Sequence, residues 1–318
     1  RWARDDVTVS SLSNDENRLL QEQFNGIWRS ITPRLTASWQ VADNAMLYSN
    51  IARGTKPGDF NADVPDERLR NVHEESVWSY ELGMKGRVAN HARYGAAIYR
   101  LDVDDQQVTT LAELPDGRTA SLLTNAGKTR VYGLETELGL WITDGLQLDL
   151  TYAWTDASYL DFVSVEQADL LGSDGSFADT QKLGSVAGNR LPRVAEHMAS
   201  ARLAWQHELP RAGRLYFNMD WSFESSRFAQ EHNLIETGDR QLTNLAAGIE
   251  LGAWDLTVWV RNLFDDRTPV DVQRYFDNRT GLLPLFPQLG DRPSRSPRGF
   301  VLSLPRGRQL GATLRLHF

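Results

Sequence analysis

The sequence predicts an all-β protein, a transmembrane antiparallel up-and-down β-barrel of which this chain supplies about eleven full strands and a truncated first one. Three observations carry that expectation. The first is Arg130–Thr155, where two alternating runs are joined by Asp144-Gly145, a strong hairpin signal. Tyr132, Leu134, Thr136, Leu138, Leu140 and Ile142 share one side, while Val131, Gly133, Glu135, Glu137, Gly139 and Trp141 share the other. Past the turn, Leu146, Leu148, Leu150, Tyr152 and Trp154 oppose Gln147, Asp149, Thr151, Ala153 and Thr155. Each arm runs to about a dozen residues, well beyond the ~5–6 of globular strands and enough for the ~9–11 of a tilted membrane strand. The second observation is that connections alternate between very short and very long, as periplasmic turns and outer loops do. The third is composition. Mean hydropathy is −0.44 and no window approaches the ~18–20 apolar residues of a spanning helix. A barrel tolerates such an average because half of each strand faces water.

The other elements follow in order. Arg1–Val9 reads as the end of a strand already under way, and Ser10–Gln23 as a loop. Leu35, Ala37, Trp39 and Val41 alternate with Arg34, Thr36, Ser38 and Gln40, turn at Ala42–Asn44, and lead into a strand from Ala45 to about Arg53. A polar loop from Gly54 to Glu74 precedes Trp78, Tyr80, Leu82, Met84 and Val88, which oppose Ser79, Glu81, Gly83, Lys85 and Arg87. Ala89–His91 turns the chain into Ala92–Asp104, a strand whose pattern assigns no facing, and Leu111–Ala126 reads as a loop. After the hairpin, Tyr159–Arg193 is long, polar and Gly-rich. Strands return at Ala199–Trp205 and Leu215–Phe223, then at Gln241–Leu251 and Trp254–Arg261 about a Gly252-Ala253 turn. Asp265–Gly307 is the longest loop, rich in Pro and Arg, and Arg308–Phe318 is the last strand.

A net charge of −8 argues against nucleic-acid binding, and the absence of cysteine excludes disulfides and thiolate metal sites. Ala126-Gly127-Lys128-Thr129 lacks the upstream glycine of a phosphate loop, since Leu122 stands there. His73-Glu74-Glu75 lacks the spacing of a helical zinc site and reads as solvated loop. No nucleophile-elbow pattern accompanies the serines, so no catalytic residues, metal ligands or intrinsic cofactor are expected.

Several segments together resemble the C-terminal half of TonB-dependent outer-membrane receptors, plugged 22-stranded transporters of Gram-negative bacteria. Leu47-Tyr48-Ser49 followed by Arg53, Gly54, Thr55, Lys56, Pro57, Gly58, Asp59, Phe60 and Asn61 is similar to the family's strand-to-loop segment, with Thr55 and Asp59 replacing its usual Phe and Gly. Tyr80-Glu81-Leu82-Gly83-Met84-Lys85-Gly86 resembles its Y-E-x-G-x-K stretch, and Gly133-Leu134-Glu135-Thr136-Glu137 its G-x-E-x-E strand. Asn262-Leu263-Phe264-Asp265 matches the N-L-F-D at the top of the penultimate strand, and Phe318 its aromatic C-terminal residue.

The resemblance implies an outer-membrane location, TonB-energised uptake of a scarce nutrient, most often a ferric siderophore, and no enzymatic activity. It implies contacts with outer-membrane lipid and lipopolysaccharide, and with the barrel-assembly machinery through Phe318. A plug domain, the first barrel half and the TonB contact would come from sequence upstream of Arg1. On this reading residues 1–318 are the C-terminal part of the barrel domain and the ferric chelate is cargo. Glu135, Glu137, Lys85, Arg87, Arg261 and Arg315 then line a solvated lumen wall against the plug, with a substrate path as the alternative. Arg53, Lys56, Arg274 and Arg279 are the candidate ligand contacts, since loop guanidiniums suit anionic chelates. Rival readings are a passive porin, energised uptake of a cobalamin or glycan, and, least supported, a barrel enzyme.

Overall fold

A computed structural model describes residues 2–15, 18–61, 70–113, 119–173, 176–210, 213–276 and 298–317. The chain opens with a hairpin of β1 (Trp2–Asp15) and β2 (Arg18–Ile31). After Pro33 it enters a meander: β3 (Arg34–Ala42), β4 (Ala45–Lys56), the short pair β5 (Asp59–Phe60) and β6 (Asn71–Val72), then β7 (Glu75–Val88), β8 (Ala92–Glu113), β9 (Thr119–Thr143) and β10 (Leu146–Asp161). Two short helices follow, α1 (Val165–Leu170) and α2 (Phe177–Leu183). The chain ends with β11 (His197–Leu209), β12 (Gly213–Glu224), β13 (Arg240–Leu251), β14 (Trp254–Arg261), the hairpin β15 (Asp271–Phe276) and β16 (Arg298–Ser303), and β17 (Gln309–Leu316).

Eleven of these strands make one antiparallel sheet in the order β17-β14-β13-β12-β11-β10-β9-β8-β7-β4-β3. Neighbours in space are neighbours in sequence except where β5–β6 and β15–β16 are inserted, the expected up-and-down topology. Among the described residues β3 and β17 are unpaired edges and the barrel is not closed. The short connections β3–β4, β7–β8, β9–β10, β11–β12 and β13–β14 lie at one end of the sheet, and the long connections between its strands lie at the other.

Register separates the two faces. Leu310, Val260, Leu245, Met219, Leu203, Leu148 and Leu140 pair in one unbroken row across seven strands. Three residues along, and so on the opposite face, Ser222, Ser200, Thr151, Glu137, Gly95 and Lys85 make a second row. The polar face is concave, enclosing a trough of about 870 Å³ beside Ser38, Tyr48, Lys85, Glu135 and Glu137. The apolar face is convex and bare, with Leu310 75%, Leu35 69% and Trp39 67% exposed. In water such a surface would aggregate, whereas in hydrocarbon it is the required surface. A core of the soluble kind occurs elsewhere, under the long connections, where Ala157, Tyr159, Phe162, Val186 and Leu191 pack together.

Several expected loops are ordered elements. Ser10–Gln23 belongs to the β1–β2 hairpin, with Asp15 paired to Arg18. Leu111–Ala126 is strand at both ends, since β8 and β9 stay paired out to Glu113 and Thr119. β4 continues to Lys56, Tyr159–Arg193 holds the end of β10 and both helices, and Asp265–Gly307 contains β15 and β16. These stretches escape periodicity because both faces see water beyond the bilayer, so no alternation is imposed while backbone pairing continues. The facing of Ala92–Asp104 is fixed by register: Tyr94 meets Leu138 and Ile98 meets Leu134, so even positions are convex.

Candidate functional site

The concave wall is where the family-like glycines and glutamates fall. Gly83 and Gly133 each lie beneath a tyrosine of the adjoining strand: the rings of Tyr48 and Tyr99 occupy the space a Cβ would need. Glycine there lets an aromatic lie flat across the sheet and cover bare backbone. The Tyr99 hydroxyl continues to Thr155 Oγ1 at 3.5 Å. Glu81 pairs in register with Asn50 and Tyr99, and Glu135 with Ala97 and Ala153, so both share the concave parity with Glu137 and Lys85. Further along, the wall is cross-braced. Arg93 Nη2 donates to Asp149 Oδ1 at 2.9 Å, Arg214 Nε to Glu250 Oε2 at 3.1 Å, and Tyr216 Oη to Asp255 Oδ1 at 2.9 Å. Arg315 lies 3.6 Å from Asp255, and the Arg261 guanidinium stands 5.1 Å from the Trp259 ring centroid. Half-solvated pairs of this kind contribute little each, and their effect is to fix the wall's shape.

The segment after β4 is a strap clipped to the tall β8–β9 hairpin. Gln107 Nε2 donates to the Pro57 carbonyl at 2.8 Å. Gly58 is buried, and Phe60 stacks on Phe24 at 5.7 Å and tilts against Trp28 at 5.9 Å. The Asn61 side chain binds Leu123 twice, accepting from its N–H at 2.9 Å and donating to its carbonyl at 2.8 Å. His73 and Glu75 serve the same clip: His73 N–H donates to Asn125 Oδ1 at 2.8 Å, and Glu75 Oε2 accepts from Gln107 N–H at 2.7 Å.

The four-residue run at the top of β14 is a clasp. Asn262 adopts φ 51°, a left-handed conformation that asparagine tolerates better than most residues. Its buried amide donates to the carbonyls of Asp266 at 2.9 Å and Arg306 at 3.1 Å and accepts from Asp266 N–H at 2.9 Å. Leu263 N–H donates to the Thr243 carbonyl at 2.8 Å, while Phe264 is exposed. Asp265 Oδ1 accepts from Arg308 N–H at 2.7 Å and from Arg267 Nε at 3.1 Å. The Arg308 amide first, and then the Arg267 guanidinium, hold the Asp265 carboxyl below the usual carboxylate range. This run ties the departing and returning ends of the longest connection to one point.

Above the trough three connections fuse into a cap. Ser164 caps α1, accepting from Gln167 N–H at 3.2 Å, and donates to Glu231 Oε1 at 2.7 Å. Asn189 Nδ2 donates to the Glu231 carbonyl at 2.9 Å, and Asn233 exchanges bonds with the Arg190 backbone at 2.7 and 2.9 Å. Arg193 reaches Asp271 of β15 at 3.4 Å. Burial, with the Glu231 charge second, raises the Tyr159 hydroxyl's pKa far above its ordinary value. None of these cap residues stands out from periodicity. The readable signals were Ser164-x-x-Gln167 and Ser176-x-x-Asp179, helix starts within an otherwise loop-like stretch.

Among the described residues, the expected ligand contacts lie on different elements. Lys56 ends β4 on the concave parity, opposite Glu75. Arg53 falls on the convex parity with Leu47 and Ile51, opposite Trp78, and its Nη1 donates to the Ile31 carbonyl at 3.1 Å. Arg274 lies on β15 opposite Phe300. Arg279 and Phe318 lie outside the described residues. Among the described residues, no group of three or more His, Asp or Glu is placed to hold a metal ion.

The family described as TonB dependent receptor-like, beta-barrel, matches residues 2–263. Among solved structures, the ferric yersiniabactin uptake receptor FyuA of Yersinia pestis superposes with a TM-score of 0.73 at 19% identity, over 100% of this chain and 42% of that one. The siderophore receptor PiuA of Acinetobacter baumannii gives 0.67 at 16% identity, over 99% and 40%. The copper transporter OprC gives 0.61 at 12% identity, over 100% and 45%. The chain thus spans about two fifths of the length of the solved proteins it matches. Topology, two-faced sheet, one-sided connections and family match agree: this chain belongs to the TonB-dependent receptor β-barrel family.

Proposed function

We propose that the chain is the C-terminal part of the barrel of an outer-membrane receptor that takes up a ferric chelate with energy delivered by the TonB system. The observation carrying this reading is the one-sided cap: all long connections rise from the end of the sheet opposite the short turns, and three of them lock together over a polar concave wall. A ligand captured there enters a trough whose wall is hydrogen-bonded and ion-paired. In this reading a plug fills the lumen against that wall and rearranges when pulled from the periplasmic side. Siderophore receptors among the structural relatives favour an iron chelate, and a copper transporter among them keeps the metal open to test. Lys56, Arg274 and Arg279 remain the proposed contacts for an anionic chelate, whose oxygens suit guanidinium forks.

The experiment is uptake by the full-length receptor in cells. Binding of a ferric chelate should be micromolar or tighter without an energy source and should weaken when 277–297 is shortened, because loop length costs little in stability. Uptake should stop when the proton gradient is dissipated. Entry that persists after dissipation and rises linearly with concentration would replace this reading with a passive porin. Energised uptake of a copper, cobalamin or glycan cargo instead would overturn only the ligand class.

A further inference from the structure

One row of register partners runs obliquely through the concave wall, because strands in a barrel tilt and stagger. It starts at Arg87, beside the short turn that ends β7, and passes to Arg93 and Gly139. From there it crosses Asp149, Arg202, Asp220 and Asn244 on β10 to β13. Val260 pairs with Leu245, which sets Arg261 next to Asn244, at the foot of the longest connection. The row thus leads from the capped end of the sheet to the end with the short turns. Its charges are spread out rather than neutralised. Arg87 and Arg93 stand directly opposite each other, a like-charge placement that costs stability. Arg93 reaches Asp149 Oδ1 at 2.9 Å by lying across Gly139, where a Cβ would meet its Nε at 2.6 Å. Arg87 is exposed and makes no ion pair among the described residues. Arg202 is 65% and Asp220 58% exposed, with 3.8 Å between them. Asp220, Asn244, Trp259 and Arg261 border a hollow of about 370 Å³. The wall on either side has the other sign. Glu81, Glu135 and Glu137 crowd β7 and β9 around Lys85, and Glu250 and Asp255 hold the turn end of β13 and β14.

We propose that this row is the track along which an anionic cargo crosses the wall, entering at Arg261 and leaving between Arg93 and Arg87. In a chain of net charge −8, Arg87, Arg93, Arg202 and Arg261 outnumber Asp149 and Asp220 along one line. Carboxylates on both flanks confine an anion to that line, as a cleft of one sign does. Arg261 to Arg202 and Arg202 to Arg93 are each three strands apart, about 14 Å at the usual strand spacing. A chelate let go by one guanidinium therefore comes within reach of the next. Asp149 and Asp220 keep each stop weak, and conduction needs sites that release as well as bind. The inference rests on the reading of the chain as part of a receptor for an anionic chelate, and adds which strip of wall the cargo follows.

The test places single cysteines in the full-length receptor in energised cells. Ala204→Cys lies two residues from Arg202 on the same face, and Ala97→Cys lies between Gly83 and Glu135. Each is reacted with methanethiosulfonates of similar size, the anionic ethylsulfonate and the cationic ethyltrimethylammonium. The ratio of anionic to cationic rate should be about ten-fold higher at 204 than at 97. Arg93→Gln with Arg202→Gln should erase that excess, whereas Arg93→Lys with Arg202→Lys should keep it, a distinction of charge that a bracing role would not make. Gel heat-modifiability reports whether each variant folds. Should the double variants fail to fold, the two cysteine sites alone decide. Equal ratios at both sites, or no reaction at 204 in energised cells, overturns the proposal. Failure of the receptor reading would look different: the anion preference at 204 would stand, and its rate would not change when the proton gradient is dissipated.

Discussion

Leu138 and Glu137 are neighbours in the chain, yet they belong to surfaces built by different rules. Leu138 lies on the convex face between Tyr94 of β8 and Leu150 of β10. Glu137 lies on the concave face in a row with Thr151, Gly95 and Lys85. Convex side chains in the apolar band need only be apolar, because lipid tails pack as well as any neighbour. Concave side chains are specified pairwise, a tyrosine over Gly83, Gly133 and Gly248 and a carboxylate for most guanidiniums. The convex face therefore tolerates apolar exchange and punishes charge, whereas the concave face tolerates loss of charge and punishes a change of shape.

The largest effect expected from this contrast is on the convex side. Leu138→Arg in the full-length receptor should cost about 2–4 kcal/mol of folding free energy near mid-bilayer, and Glu137→Gln well under 1 kcal/mol. Denaturant titration of the refolded protein in lipid reads both, and equal costs would erase the distinction between faces. A smaller effect is expected from shape on the concave side. Gly133→Ala sets a methyl where the Tyr99 ring lies, which should cost about 1–3 kcal/mol, and adding Tyr99→Ala should recover part of it. Strict additivity of the two substitutions would show that ring and glycine are not partners.

The smallest effect lies above both faces, at the clasp. Asp265 has its folded-state pKa lowered, chiefly by the Arg308 amide and then by Arg267. A depressed carboxyl contributes stability that is present above its unfolded value, about 3.9, and lost as pH falls through the folded value. Proteolysis of 267–308 in the intact receptor should therefore be flat from pH 8 to 5 and rise only below about pH 4. Asp265→Asn should raise cleavage at neutral pH as well. A rise already at pH 6 would place the sensitive group elsewhere.

The barrel was legible in the sequence because the bilayer writes a period of two wherever it touches a strand, and Leu134 to Ile142 shows this in five alternate residues. The facing of β8 was not legible, since Arg100 and Asp102 carry the convex parity above the membrane and mimic a polar face. Pairing settled it. The upper halves of β8 and β9, the Ser10–Gln23 part of the β1–β2 hairpin and the β15–β16 hairpin were missed for the same reason: in water on both faces a strand has no pattern to keep. The signature residues were found by resemblance, and the structure gives several of them physical work. Gly83 and Gly133 seat tyrosines, Asn61 clips a strap, and Asn262 and Asp265 close a clasp. The facing of Arg53 was not legible either, because its loop-edge position hid a convex parity that register reveals.

The central claim is that one face of this sheet lies in lipid and the other does not, and nitroxide scanning of 131–142 tests it most directly. Each position would be labelled singly in the full-length receptor, reconstituted in bilayers, and its collision with oxygen compared with that of a water-soluble nickel chelate. The even positions from 132 to 142 should be oxygen-accessible and the odd positions from 131 to 141 should not, with oxygen accessibility peaking near 138. Accessibility that does not alternate, or that peaks at the odd positions, would contradict the assignment of faces and the barrel built on it.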